Sequence, residues 1–152
     1  MKIWEFEINE RTAEAIGVEE DAQREQYIYP NFIGLWIEKW GRIRVKTLGK
    51  KRTCDIYKFS SGYPIVSEKT IRVLKNFFEQ KVQILPMIYN TNQALHIINV
   101  INVIDCIDFE KAKVTRSNSG RVIEINKYDF IFEKVKDQHI FKIPEKTRTH
   151  IF

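Results

Sequence analysis

The chain has 152 residues, of which 43% are hydrophobic, 30% are charged and 12% are aromatic. This length and composition predict one soluble globular domain with a substantial core, and they exclude an intrinsically disordered chain. No run of 18 apolar residues is present, so no membrane span is predicted, and the formal net charge of +5 favours an anionic partner.

Targeting, redox and metal signals are weak. The N-terminus turns acidic at once and lacks the apolar segment and cleavage site of a signal peptide, so we expect a cytoplasmic protein. Cys54 and Cys106 have no CxxC or Cys/His spacing, which predicts two reduced thiols. The histidines, His96, His139 and His150, are too scattered to indicate a metal site, and we predict no cofactor.

The first sixty residues are predicted to be rich in strands. Residues 2–8 alternate aromatic or aliphatic side chains with acids, which is typical of a half-buried strand. Residues 9–25 are polar and irregular and predict a mostly solvated connection, with at most a short helical turn. Residues 27–40 carry five aromatic rings and a short predicted strand at 32–37. These rings either enter a small core or stay exposed, where they could stack on nucleic-acid bases.

A basic segment covers residues 39–58, where eight bases face a single acid, Asp55. Residues 43–48 and 53–59 alternate as strands do, and Gly49 with two lysines supplies a turn, so we predict a basic hairpin. Such a hairpin can bind phosphates or can be a charged edge that prevents aggregation. Charge and ring content give the candidate partner-binding residues Trp36, Trp40, Arg42, Arg44, Lys46, Lys50, Lys51 and Arg52.

The clearest helix follows a break in the pattern at residues 60–64. Ser67 stands at an N-cap position, where its hydroxyl can accept a bond from the first turn. Apolar residues then recur at i, i+3, i+6 and i+7 from Ile71. This spacing predicts an amphipathic helix over residues 68–80 whose apolar stripe packs on a sheet.

Short strands are predicted for most of the remaining chain. Residues 82–89 should be an edge strand or a bent one, because Pro86 cannot donate to a ladder. They should pair with residues 94–104 as an antiparallel hairpin. Further strands are expected at residues 112–115, 122–125, 128–135 and 139–143.

The most apolar stretch is LHIINVINVIDCID at residues 95–108. As a strand it is apolar on both faces, which predicts a covered central strand. As a helix it would carry a drifting polar stripe, but its Ile and Val content favours the strand. Asn99, Asn102 and Asp105 are interpreted as a structural polar core, because a buried amide must be hydrogen-bonded. A ligand or partner contact is the alternative interpretation.

These elements predict an α+β fold with a largely antiparallel sheet and one principal helix, at residues 68–80, packed on it. We expect a single domain over residues 1–152, with a strand-rich first part at 1–60 and a second part at 61–152. The chain stops at two apolar residues directly after a charged turn. That ending predicts that the C-terminal end of the fold is incomplete.

The second part resembles a known family in its order of elements. The specific signal is the segment IINVINVID at residues 97–105. The helix after Pro64 and the segment VQILP precede it, and IFKIP at residues 140–144 follows it. Over residues 57–152 the chain resembles the bacterial polymorphic-toxin immunity proteins of the immunity 11 and 43 group. Family members generally continue beyond the tail seen here, and Lys142 stands where an arginine is common.

The resemblance implies a protein that binds a cognate bacterial toxin non-covalently and neutralises it, without enzymatic activity or a cofactor. The alternative is a nucleic-acid-binding module that uses the basic, aromatic-rich surface of residues 27–58. An enzyme is a third hypothesis, since Asp105 and Asp108 could do acid–base work at the end of an apolar strand. No catalytic residues are assigned.

Overall fold

A closed barrel of six strands dominates the computed structural model, which describes residues 2–3, 5, 13–50, 54–59, 63–78, 80–90 and 93–146. Around the barrel the strand order is β1-β2-β5-β6-β4-β3, and β7 and β8 form a separate hairpin. The strands are β1 (Ala15–Val18), β2 (Ile43–Thr47), β3 (Ile56–Phe59), β4 (Ile65–Ser67), β5 (Val82–Asn90), β6 (Gln93–Val100), β7 (Lys113–Arg116) and β8 (Val122–Lys127).

The helices are short apart from one. A first turn α1 (Asp21–Gln23) continues into a π-helical segment (Arg24–Ile28). The principal helix is α2 (Glu68–Phe78), and α3 (Phe132–Val135) and a 3-10 turn (Pro144–Lys146) follow later. Among the described residues, no helix is both long enough and apolar enough to cross a membrane.

The α+β class is confirmed, and most strand pairs are antiparallel as predicted, but the sheet is closed into a barrel and is partly parallel. β1 runs parallel to β3, and β2 runs parallel to β5. The predicted basic hairpin is wrong, because β2 and β3 are not neighbours. β1 lies between them, within residues that we predicted to be a solvated connection. β1 has only four residues, too few to show an alternating pattern.

The strongest local patterns are confirmed. α2 lies within the predicted range, and the Ser67 hydroxyl accepts a hydrogen bond from the Thr70 amide at 3.3 Å. β5 and β6 pair antiparallel, although β6 ends at Val100. β7 and β8 flank a turn in which Gly120 has a φ of +81°.

Two strands for which an edge position was one of the expectations lie inside the barrel. β2 pairs with β1 and β5, and β5 pairs with β2 and β6. Pro86 is tolerated in β5 because pairing with β2 begins only at Met87. The Pro86 carbonyl instead accepts a bond from the Trp40 indole nitrogen at 2.8 Å. In a strand, the backbone nitrogen and carbonyl of one residue point to the same side. The Pro86 nitrogen therefore faces the side on which its carbonyl binds Trp40 and not a neighbouring strand, so its missing N–H costs no ladder hydrogen bond.

Three other predicted strands are not formed as expected. Residues 32–37 are an irregular loop, in which Phe32 has a φ of +65°. Residues 128–135 end in the short helix α3, and residues 139–143 form isolated bridges, such as the one between Lys142 and Val103, instead of a strand. Their apolar side chains fill a core without continuous strands, as Phe141 and Ile143 do. The strand predicted at residues 2–8 lies mostly outside the described residues.

Within the part of the chain that the structure describes, buried apolar side chains form three clusters. The largest fills the barrel and includes alternate residues of β2, namely Ile43 and Val45. A second lies between the β7–β8 hairpin and residues 141–143, and a third lies beneath α2. Since β2 alternates buried and exposed residues, its charged side chains point out of the barrel.

We predict that Ser67→Ala lowers the free energy of unfolding by about 1 kcal/mol, because the helix loses its N-cap. The Ser67 hydroxyl also donates to Asp55 Oδ1 at 2.8 Å, so the substitution removes a hydrogen bond from this carboxylate as well. Urea unfolding measures the effect. Ser119→Ala, in the exposed β7–β8 turn, is the control and should change stability by less than about 0.5 kcal/mol. Equal stability of the two variants would contradict the capping role.

Candidate functional site

The apolar loop, residues 32–37, carries large apolar side chains on the protein surface. Leu35 is 65% exposed and Trp36 is 62% exposed. Ile33 is also exposed, whereas Phe32 and Ile37 at the ends of the loop are buried. The loop therefore has a buried base and an apolar tip.

Two buried amide side chains bind the backbone of this loop. Gln83 of β5 accepts a bond from the Ile37 amide at 3.0 Å and donates to the Ile37 carbonyl at 2.8 Å. Asn99 of β6 donates to the Leu35 carbonyl at 2.9 Å and to Gln83 Oε1 at 3.1 Å. Gln83 and Asn99 face each other across the β5–β6 ladder. The two strands thus hold the loop through side-chain hydrogen bonds to its backbone, in place of the backbone bonds that a neighbouring strand would make.

A buried lysine binds the other end of the apolar loop. Lys142 is fully buried, and its Nζ donates to the Phe32 carbonyl at 2.6 Å. Burial lowers the pKa of Lys142 to about 8. Gly34 completes the fit, because a Cβ there would lie 2.1 Å from Val103 Cγ2 and its φ is +91°. Only glycine suits that position.

A row of cations, the basic row, follows the apolar loop along the chain. It consists of Arg42, Arg44 and Lys46, all exposed, and alternates with the buried residues of β2. Lys50 is exposed in the turn that follows. The ion pairs between described residues involve none of these four side chains. Their side chains lie on the outer surface of the barrel.

The two candidate tryptophans have opposite environments. Trp36 is exposed, whereas Trp40 is half-buried, with its indole nitrogen on the Pro86 carbonyl. The Trp40 ring also meets Tyr27 and Phe32 edge-on, at centroid distances of 5.9 and 6.0 Å. Trp40 therefore belongs to the core more than to the surface. The candidates Lys51 and Arg52 lie outside the described residues.

Sequence reasoning missed Ile33 and Leu35 as surface residues. A strand was predicted at residues 32–37, and it would have buried alternate side chains of this segment. Gly34, in the middle of an apolar run, was the available signal, since glycine inside a strand pattern weakens the strand assignment.

The three residues of the predicted polar core have different environments. Asn99 is buried beneath the apolar loop. Asn102 donates to Gln138 Oε1 at 3.0 Å and to the Ile140 carbonyl at 2.9 Å. Asp105 departs from the expectation, because it is exposed and only its backbone carbonyl is used, by Lys134 Nζ at 2.7 Å. It lies beyond the end of β6, where the alternation of the strand no longer applies.

A further buried polar cluster lies beside β1. The carboxylate of Glu14 accepts bonds from the hydroxyls of Thr47, at 2.7 Å, and of Tyr89. The Glu14 amide donates to Cys54 Sγ at 3.4 Å. These contacts join β1, β2 and β5. Within the described ranges, no group of three or more His, Cys, Asp or Glu side chains could hold a metal ion.

Comparison with protein families identifies the chain. Residues 41–152 match the Immunity protein family (Imm11). The chain belongs to this immunity protein family. A search of curated proteins finds no match. The match starts earlier than the resemblance noted over residues 57–152, so the basic row lies inside it and the apolar loop lies just before it.

Membership of the family implies a toxin-neutralising immunity role, and proteins of this kind are generally non-enzymatic. The match does not identify the toxin.

Lys142 leads to a prediction about pH. Its pKa is about 8 in the folded protein and ordinarily 10.5, so between these values the unfolded chain binds more protons. Stability therefore rises with pH across this window, by up to about 3 kcal/mol. Lys142→Met removes this contribution, and wild type should gain stability relative to the variant from pH 7 to pH 10.

Urea unfolding of both proteins at the two pH values measures the difference. Other titrating groups, such as Cys106, whose pKa burial raises to about 11, contribute equally to both proteins and cancel. A constant difference between wild type and Lys142→Met would show that Lys142 does not titrate within this window.

Proposed function

We propose that this protein neutralises a cognate toxin by binding it non-covalently through Trp36 and the basic row. The observation that carries the proposal is an exposed tryptophan followed along the chain by a row of exposed cations, in a chain of an immunity family. Tryptophan and arginine are the residue types that most often dominate binding energy in protein interfaces. Neutralisation by occlusion needs shape and charge and no catalytic group.

The charge of the surface limits the kind of toxin face that it can bind. Lys39, Arg42, Arg44, Lys46 and Lys50 face only one acid, Glu38, between residues 33 and 50. Five positive charges and one negative charge leave a net +4, which is complementary to an acidic surface. A nuclease with a basic cleft would require an acidic inhibitor, so this surface argues against that class of toxin.

Nucleic acid is the second candidate partner, because an exposed ring beside cations is also found in single-strand-binding proteins. Such proteins stack successive bases on several exposed rings. Here Phe32 is buried, and Tyr27 and Trp40 pack against the barrel core. Most of the rings that were candidates for stacking on bases therefore contact the barrel core instead, which favours a protein partner.

The product of the adjacent gene serves as the candidate toxin. We predict that Arg44→Glu/Lys46→Glu weakens binding to it at least 10-fold, mainly by slowing association. Lys113→Glu/Lys127→Glu is the matched control, since it reverses the same charge on two exposed lysines paired across β7 and β8. Surface plasmon resonance at two salt concentrations measures both rates, and co-expression measures rescue from toxicity.

Three outcomes count against the proposal. An adjacent gene product that is harmless to cells, or that does not bind wild type, removes its main support. Equal effects of the two double variants would move the interface elsewhere. Salt-sensitive binding to a labelled single-stranded DNA, abolished by Arg44→Glu/Lys46→Glu, would favour the nucleic-acid candidate.

A further inference from the structure

The apolar loop combines exposure at its tip with unusual restraint at its base. Three buried side chains from distant parts of the chain bind its backbone, namely Gln83, Asn99 and Lys142. Loops are commonly mobile and polar. A loop that is apolar and fixed from below has the properties of a preformed binding element, because little conformational entropy remains to be lost on binding.

The backbone of the loop is itself unfavourable. Phe32 adopts a positive φ of 65°, which is uncommon for any residue other than glycine and more so for a bulky one. Lys142 is also buried, and burial lowers its pKa below the ordinary value of a lysine. Strain of this kind persists where the surrounding structure enforces it, and it concentrates at ligand-binding sites. Here the enforced conformation is the one that holds Leu35 and Trp36 out of the core.

The apolar loop and the basic row can belong to one interface. Between Ile37 and Ile43 the chain runs alongside β5, because Ile37 binds Gln83 and Ile43 pairs with Met87. The four residue-to-residue steps from Gln83 to Met87 span about 13 Å at the rise of a strand. A standard interface covers about 800 Å² on each partner, which is a patch about 30 Å across. The loop tip and the first cations therefore fit within one patch.

We infer that the apolar loop is the preformed anchor of the toxin interface, with Ile33, Leu35 and Trp36 inserting into an apolar depression of the toxin that is bordered by carboxylates. Gln83, Asn99 and Lys142 are its positioning residues. The inference rests on the proposed function and adds the chemistry of the partner site. The carboxylate border follows from the basic row, and the apolar depression follows from the exposed tip.

This arrangement divides binding into two kinetic parts. The basic row acts at a distance and speeds association, so its contribution falls as salt rises. The loop tip acts only after contact and slows dissociation, so its contribution changes little with salt. Variants of the two parts should therefore differ in which rate constant changes.

The first test compares two apolar pairs of similar exposure. Leu35→Ala/Trp36→Ala truncates the loop tip, and Val73→Ala/Phe77→Ala truncates side chains on α2 that are 67% and 49% exposed. With the adjacent gene product as the probe, the loop variant should bind about 100-fold more weakly through faster dissociation, and the α2 variant should bind like wild type. Both should keep the wild-type melting temperature within a few degrees.

The second test addresses the positioning residues. Gln83→Ala should speed hydrogen exchange of the Ile37 amide in the free protein and weaken toxin binding about 10-fold. Asn102→Ala is the matched control, because Asn102 binds a different backbone segment, at Ile140. It should leave both readouts unchanged. If Gln83 had a merely structural role, Gln83→Ala would weaken toxin binding no more than Asn102→Ala does.

The outcomes separate this inference from the proposed function. Binding of wild type with no loss in the loop variant overturns the anchor, while the immunity role stands. Loss in the α2 variant instead moves the anchor to that helix and also overturns the inference. Absence of any binding by wild type overturns the proposed function, and the inference falls with it.

Discussion

β1 lies between β2 and β3, and its four residues close a sheet that would otherwise have two open edges. Closure gives each barrel strand two neighbours and removes the exposed ladder groups that favour aggregation. It also determines which side chains are available. One face of β2 must fill the barrel, so its Arg44 and Lys46 must face outward. The basic row is thus a consequence of closure.

Local patterns could be predicted from the sequence where one segment carries its own signal. The N-cap at Ser67 and the spacing from Ile71 gave α2, and the apolar run with its turn gave the β5–β6 hairpin. β1 could not be predicted, because its pairing with β2 and β3 depends on residues about thirty to forty positions away. The strand predicted at residues 128–135 was wrong for a related reason, because the apolar content of this segment reflects burial in a cluster and not a strand.

The candidate surface was predictable in part. Arg42, Arg44 and Lys46 alternate with aliphatic residues, so their exposure follows from the strand pattern alone. Trp36 and Trp40 are the same residue type four positions apart, and nothing local distinguishes them. The Pro86 carbonyl and the rings of Tyr27 and Phe32 decide the position of Trp40. Such contacts between distant segments leave no trace in sequence periodicity.

The contacts that fix the apolar loop also have a consequence for synthesis on the ribosome. Gln83 binds a residue 46 positions earlier, Asn99 binds one 64 positions earlier and Lys142 binds one 110 positions earlier. The loop is synthesised early, but its last support is made late. A nascent chain that has not yet reached Lys142 therefore carries every residue of the tip without the geometry that presents it. Capture of a partner should begin only after Lys142 has left the ribosome.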